Sequence, residues 1–362
     1  MSNFKNKIQK NEKGIWRYAE FFAEFVKPEN RLSLDIFSNE GDIRECRLQN
    51  EINEIDLPNI NHLYFKREDE NLTGSLKDRS LAYQVSLAKQ DSLKSLVIST
   101  SGNAGISAAA YCRKAGIKLY IFISPETEKA KIAEMQKYNP IIIKSKKAIR
   151  LANYLSAKYK IKNLRPSVDD DSIEGFKSIA FEIFEELGEV DALFTFVTSG
   201  SSFAGIGRAY EYLYENKEIE KMPKLFAVQS GEIFSIAEEF ENEFNKAGDT
   251  SMCRLQAGRL GVKNTRRKNE IIDFIKSSEG SGVYVNNKEI ESAKDILNKN
   301  RIYTSTEGCA SFAGVLKVKK ENKLDKIVCI LSGKARKETN KINERKIYKA
   351  ESFEEVDKIY SI

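Results

Sequence analysis

From residue 92 onward, short apolar runs alternate with longer amphipathic ones, a pattern that folds as a parallel sheet with helical crossovers. Leu96-Val-Ile-Ser-Thr100, Leu119-Tyr-Ile-Phe-Ile123 and Ile141-Ile-Ile-Lys144 read as buried strands. Helices are expected after each of them, over Asn103 to Lys114, about Thr127 to Tyr138, and through Tyr154. After the polar stretch Val168-Asp-Asp-Asp-Ser172 a second series starts. Phe176, Ile179, Ala180, Ile183, Phe184 and Leu187 recur at helical spacing. Strand Ala192 to Val197, helix Phe203 to Tyr214, and strands Leu225 to Val228 and Ile327 to Leu331 follow, with helices near Ile233 to Phe244 and Lys288 to Asn298. Residues 246–282 are Gly- and Arg-rich and show no clear period.

At 362 residues, 41% of them hydrophobic and 10% aromatic, the chain can build sizeable cores, and its length suits two domains. No apolar run approaches the roughly 18 residues of a membrane span, and the Lys-rich start Met1 to Lys13 does not resemble a signal peptide, so a cytoplasmic protein is expected. Positive charge exceeds negative by 6 but is spread along the chain, and patches such as Lys144-Ser-Lys-Lys147 lack interleaved aromatics. Nucleic acid is therefore not an expected partner. The single histidine, His62, and five scattered cysteines (Cys46, Cys112, Cys253, Cys309, Cys329) offer neither a multi-His metal site nor a C-x-x-C pair. No metal is expected, and the thiols read as buried and reduced.

Five segments carry candidate chemistry. In Lys66-Arg-Glu-Asp-Glu-Asn-Leu-Thr-Gly-Ser-Leu-Lys-Asp-Arg79, the turn at Thr73-Gly-Ser75 opens a helix with Lys77 in its first turn. A cation is disfavoured against that end of the helix dipole, which suits a Schiff-base lysine; a surface lysine balanced by Asp78 is the other reading. Ser99-Thr-Ser-Gly-Asn-Ala-Gly105 follows a buried strand and opens a helix. It reads either as an ordinary turn or as a carboxylate site, with Asn103 adding an amide able to meet a phenolic oxygen. Val197-Thr-Ser-Gly-Ser-Ser-Phe-Ala-Gly205 repeats the strand–turn–helix plan and can cradle a phosphate, yet lacks both the Walker and the dinucleotide-binding patterns. Ile330-Leu-Ser-Gly-Lys334 closes the last core strand with a hydroxyl, and Gly14-Ile-Trp-Arg-Tyr18 holds the only tryptophan.

In order and spacing these segments resemble the threonine synthase-like branch of the fold-type II (tryptophan synthase beta-like) pyridoxal-phosphate enzymes. Gly14-Ile-Trp-Arg-Tyr18 is similar to that branch's W-R-Y signature, and Asn71-Leu-Thr-Gly-Ser-Leu-Lys-Asp-Arg79 to N-P-T-G-S-F-K-D-R. Ser172-Ile-Glu-Gly-Phe-Lys-Ser-Ile-Ala-Phe-Glu182 looks like R-x-E-G-Q-K-T-x-A-F-E. The resemblance implies an α/β fold of two three-layer domains with pyridoxal 5'-phosphate in the interdomain cleft. The domain division it suggests is 1–94 with 169–362 as the large domain and 95–168 as a smaller mobile one. It gives Lys77 the cofactor-carrying, catalytic role and sets Asn103 on the phenolic oxygen. It places Thr198, Ser199, Gly200, Ser201 and Ser202 around the phosphate and Ser332 on the pyridine nitrogen. Thr73, Ser75, Thr100, Ser101, Gly102 and Lys334 become substrate contacts, and a homodimer acting on a small amino acid is implied.

The branch's reaction converts O-phosphohomoserine and water to threonine and phosphate. Three departures bear on it: the motif S-L-G-E-G-N-T-P-L is replaced by Ser33-Leu-Asp-Ile-Phe-Ser-Asn-Glu-Gly41, the phosphate loop keeps one glycine, and T-G-H-G reads Ser332-Gly-Lys-Ala335. Hydroxyls can replace some backbone contacts to the cofactor, whereas the substrate follows less directly. A threonine or serine ammonia-lyase, a cysteine synthase-like replacement and a cofactor-binding homologue without turnover are the alternatives.

Overall fold

The β-branched and aromatic runs form strands, and in the computed structural model eleven strands among the described residues build two sheets. The structure describes residues 3–32, 48–49, 62–231, 235–240, 266–318, 324–339 and 341–361. The strands are β1 (Leu48–Gln49), β2 (His62–Lys66), β3 (Ser95–Ser99), β4 (Lys118–Ile123), β5 (Ile141–Lys144), β6 (Lys162–Asn163), β7 (Ala192–Phe196), β8 (Lys224–Gln229), β9 (Ser281–Tyr284), β10 (Lys326–Ile330) and β11 (Ile347–Lys349). The chain divides into two units. The first comprises Met1–Ile8, Arg44–Asn71 and Phe176–Ala335; the second comprises Gln9–Ile43, Leu72–Gly175 and Arg336–Ile362. The stretch 95–168 thus lies inside the second unit, together with the helix Lys77–Gln90 and the carboxyl-terminal segment.

The first unit holds a six-stranded sheet in the order β1-β2-β10-β7-β8-β9, parallel except for β1. Its core interleaves Phe194, Phe226, Val228, Ile327 and Cys329 with Phe312 and Val315 of the helix Thr306–Val318. From β7 the chain moves outward through β8 to β9, then returns to lay β10 on the other side of β7. The strand order therefore reverses between β10 and β7, and in open parallel sheets the loops at such a reversal line the ligand site.

The second unit holds an all-parallel sheet in the order β11-β5-β4-β3-β6. Here β3, β4 and β5 step in one direction and β6 returns to the far side of β3, so the reversal falls beside the loop that leaves β3. Burial of Val97, Tyr120, Phe122 and Ile143 against Leu151 and Leu155 of the helix Ala148–Tyr159 fixes this layer.

The helix Lys77–Gln90 is buried along most of its length. The W-R-Y segment forms a 3-10 turn, Gly14–Phe21, against it: Trp16 donates Nε1–H to the Leu32 carbonyl at 2.8 Å, and its ring lies 6.2 Å from that of Tyr83. Glu174 accepts the Ala23 amide at 2.7 Å. Gly175 lets the helix Ser172–Leu187 cross the Lys77 helix closely, because a Cβ there would stand 2.1 Å from the Arg79 carbonyl oxygen. Gly175→Ala is accordingly expected to lower stability by about 1–3 kcal/mol, the usual cost of overpacking, read as a fall in the denaturation midpoint. An unchanged midpoint would mean that the two helices separate freely.

The expected helix near Ile233 to Phe244 is represented among the described residues by one 3-10 turn, Ala237–Glu239. The described part of residues 246–282 includes the helix Lys268–Ser277 and the first two residues of β9. The segment Ser33 to Gly41, Cys46 and Cys253 lie outside the described residues.

Candidate functional site

Most of the candidate residues sit at the carboxyl ends of parallel strands, whereas Thr73, Ser75 and Lys77 lie on a turn that opens a helix. In the first unit, β7 ends at Phe196 and the next amide, of Val197, donates to the Val228 carbonyl at 2.8 Å. The chain then turns through Thr198 and Ser199 to Gly200, whose φ of +81° belongs to the left-handed region, and enters the helix Ser201–Glu215. That helix has no side-chain cap, so its amino-terminal amides, the positive end of its dipole and the surrounding hydroxyls form a ready phosphate cradle.

Beside this turn, β10 delivers Ser332 two residues past its end. The Gly333 carbonyl accepts from the Ser305 amide at 2.6 Å and the Thr304 hydroxyl at 2.8 Å, which pins the Ser332 turn in place. Gly308 makes room for that anchor, since a Cβ would approach the Thr304 hydroxyl to 2.2 Å. Lys334, which pairs with Thr304 across an isolated bridge, is exposed.

In the second unit, Thr73, Ser75 and Lys77 lie on the turn into the helix Lys77–Gln90. Gly74 has φ +82°, and the Lys77 amide donates to the Ser75 hydroxyl at 3.3 Å. Thr73 is tied to Asp78: its amide donates to one carboxylate oxygen at 2.7 Å and its hydroxyl to the other at 2.5 Å. The expected substrate contact at Thr73 thus has its hydroxyl engaged inside the protein. Lys77 itself is half-buried.

The loop leaving β3 carries Thr100, Ser101 and Gly102 into the helix Asn103–Ala115. The Thr100 hydroxyl accepts the Gly102 amide at 3.2 Å, and the Ser101 hydroxyl accepts the Ser124 amide at 3.3 Å. Gly102 has no side-chain cap and leaves open space where a Cβ would stand. Arg336 joins this loop to the Lys77 turn, donating from Nη2 to the Thr73 carbonyl at 2.8 Å and to Asn103 Oδ1 at 3.3 Å. The second unit therefore brings Thr73, Asp78, Asn103 and Arg336 into one hydrogen-bonded cluster.

Two buried hydroxyls add to these sites: Ser99, which opens a segment singled out in the sequence, and Ser230, which the sequence reading missed. Ser230 follows β8 and Ser99 ends β3, and neither Oγ has a hydrogen-bond partner among the described residues. Both stand at carboxyl strand ends, where a ligand would satisfy them. In the first unit an uncapped helix start ringed by hydroxyls fits the phosphate of a phosphorylated aldehyde cofactor, and in the second a half-buried lysine on a turn into a helix fits its aldehyde. The model of the family described as pyridoxal-phosphate dependent enzyme matches residues 50–333. The chain belongs to this family.

The cofactor of this enzyme is pyridoxal 5'-phosphate. Threonine synthase of Methanocaldococcus jannaschii is 29% identical over 339 residues, covering 90% of this chain and 81% of that protein. Threonine synthase of Halalkalibacterium halodurans is 27% identical over 288 residues, covering 76% and 78%. Among solved structures, a pyridoxal 5'-phosphate-dependent aspartate racemase superposes with a TM-score of 0.67 at 20% identity, covering 83% of this chain and 91% of that one. Threonine deaminase isoform 2 of Solanum lycopersicum superposes with a TM-score of 0.62 at 21% identity, covering 84% of each. The fold is thus the fold-type II α/β arrangement of parallel sheets.

Among the described residues no helix is long and apolar enough to cross a membrane, and no group of His, Cys, Asp and Glu is placed to hold a metal ion. Burial pushes the Cys309 thiol up to about 12 and raises those of Cys112 and Cys329 as well, so these cysteines are inert packing groups.

Proposed function

We propose that this enzyme is a threonine synthase, taking O-phosphohomoserine and water to threonine and phosphate. The observation that carries this reading is the likeness to threonine synthases along the chain, at 29% identity over 90% of it. The W-R-Y segment supports it, because Trp16 braces the helix that begins with Lys77.

When bound, pyridoxal phosphate supplies an electron-withdrawing ring that makes the substrate's Cα proton removable. In this reading Lys77 holds the cofactor and then, as a free amine, takes the Cα proton and later returns one. The amides and hydroxyls of Thr198 to Ser202 would hold the cofactor phosphate, and the Ser332 hydroxyl would serve as a neutral partner for the pyridine nitrogen. Thr100, Ser101 and Gly102 receive the substrate carboxylate at the start of the helix Asn103–Ala115, where the dipole favours an anion. The amide of Asn103 has its oxygen turned to Arg336, which leaves its NH2 group as the donor for the phenolic oxygen.

Holoenzyme given O-phosphohomoserine is expected to release phosphate and threonine in equal amounts, followed by phosphate assay and amino-acid analysis. Deamination of threonine or serine, with phosphohomoserine neither bound nor cleaved, would replace this reading by an ammonia-lyase.

A further inference from the structure

The side chain of Arg336 is held by two contacts and left open elsewhere. Nη2 donates to the Thr73 carbonyl and to Asn103 Oδ1. Nε and Nη1 are buried and have no hydrogen-bond partner among the described residues. A guanidinium carries five N–H donors, so three of them are withdrawn from water without an acceptor. Leaving such donors unanswered is costly, and more so for a charged group, so the arrangement points to an acceptor that arrives with a ligand.

The carboxylates nearby do not supply it. Asp78 is the acceptor for both Thr73 donors, and Asp78, Glu128 and Glu134 act on Arg336 through their field rather than through a bond. Burial outweighs that field and lowers the Arg336 pKa from its ordinary value, though a guanidinium stays protonated at neutral pH. Tyr138 also acts on this group through its field. The outcome is a desolvated cation anchored to the Lys77 turn on one side and to the first residue of the Asn103 helix on the other. Lys334, two residues earlier and expected from the sequence to contact the substrate, is exposed.

We propose that Arg336 is a specificity residue which receives an oxyanion on the side chain of the amino-acid substrate, Nε and Nη1 donating charge-assisted hydrogen bonds to it. The enzyme's substrate class is then an amino acid with a second anionic group beyond Cα. With the threonine synthase reading, on which the identity of the anion rests, that group is the phosphate of O-phosphohomoserine; a side-chain carboxylate has the same chemistry.

The test is a titration of holoenzyme followed through cofactor absorbance, using O-phosphohomoserine, L-aspartate and the uncharged L-homoserine and L-alanine. Wild type is expected to bind O-phosphohomoserine more tightly than L-homoserine. Arg336→Ala should raise the half-saturating concentration of the anionic amino acid roughly 10- to 100-fold more than that of the uncharged ones, the span for hydrogen bonds to a charged group, any loss of Asn103 orientation being common to both. Arg336→Lys, which keeps a charge, should recover part of the loss. Should Arg336→Ala not fold, Arg336→Gln replaces it, because the amide can still donate to the Thr73 carbonyl. Equal weakening of charged and uncharged amino acids, or no weakening of either, overturns the inference without touching the proposed reaction. If wild type ignores O-phosphohomoserine, the threonine synthase reading fails by itself. The Arg336 inference is then decided by L-aspartate against L-alanine, standing if Arg336→Ala removes a preference for aspartate and falling if there is none to remove.

Discussion

Lys77→Ala is expected to abolish turnover while the protein stays folded. The side chain is only half-buried, and alanine is a strong helix former at the first position of the helix Lys77–Gln90, so little packing is lost. Loss of the proton-carrying amine alone should slow the reaction by about 10²–10⁴-fold, and loss of the covalent hold on the cofactor should add to that. The purified wild type should be yellow and the variant colourless. Borohydride reduction of wild type followed by peptide mapping should place the cofactor mass on the peptide that contains Lys77. A reduced label on another lysine, or none in protein saturated with cofactor, would remove Lys77 from its role.

The strand–helix alternation was legible because buried parallel strands are continuous apolar runs. Leu96 to Ser99, Leu119 to Ile123 and Leu225 to Val228 are buried on both faces of their sheets, so nothing polar interrupts them. Where that condition fails, the pattern fails with it. The outer strand β11 reads Ile347-Tyr-Lys349 and is mostly exposed, and β9 reads Ser281-Gly-Val-Tyr284, with Gly282 placed where a Cβ would meet Ala237. The helix Thr306–Val318 shows no clear period because it is buried on nearly all sides, from Gly308 through Val315, so no polar face alternates with an apolar one. Two other helices carried signals that could have been used. Ser352 with Glu355, and Asn286 with Glu289, form reciprocal capping boxes at the starts of Phe353–Tyr360 and Asn287–Lys299.

The candidate site residues differ in how local their signals are. Lys77, the loop from Thr100 to Asn103 and the turn from Thr198 to Ser202 lie on local strand-to-helix or turn-to-helix connections, whose chemistry a short stretch of sequence contains. Arg336 does not: its partners Thr73 and Asn103 are 263 and 233 residues away, and only the fold brings the three together. In the sequence the exposed Lys334 was the more visible cation, since it stands next to the Ser332 turn. Charge in a segment shows in one dimension, whereas burial of that charge depends on distant neighbours.

Asp78→Ala should be among the most destabilising single changes in the second unit. Asp78 is completely buried in the first turn of its helix, where the dipole favours a carboxylate, and its two oxygens take the Thr73 amide and hydroxyl. Each hydrogen bond to a charged group contributes about 1.5–3 kcal/mol, so removing the carboxylate and leaving both Thr73 donors in a dry site should cost about 3 kcal/mol or more. Asp78→Asn keeps one acceptor oxygen but turns an NH2 group toward the other donor, and should fall between wild type and alanine. Thr73→Val removes the hydroxyl alone and leaves the amide bond intact, so its cost should be the smaller, about 1.5–3 kcal/mol. Denaturant unfolding at one fixed cofactor concentration is the appropriate measurement, because cofactor binding shifts apparent stability. Combining Thr73→Val with Asp78→Ala should cost less than the sum of the two, since the hydroxyl is lost from a pair already broken. The Thr73 carbonyl is the one that Arg336 grips, so Asp78→Ala should also loosen the hold on that guanidinium and weaken binding of the anionic amino acid. A variant within 0.5 kcal/mol of wild type, or strict additivity with Thr73→Val, would show that the Thr73 turn holds its shape without Asp78.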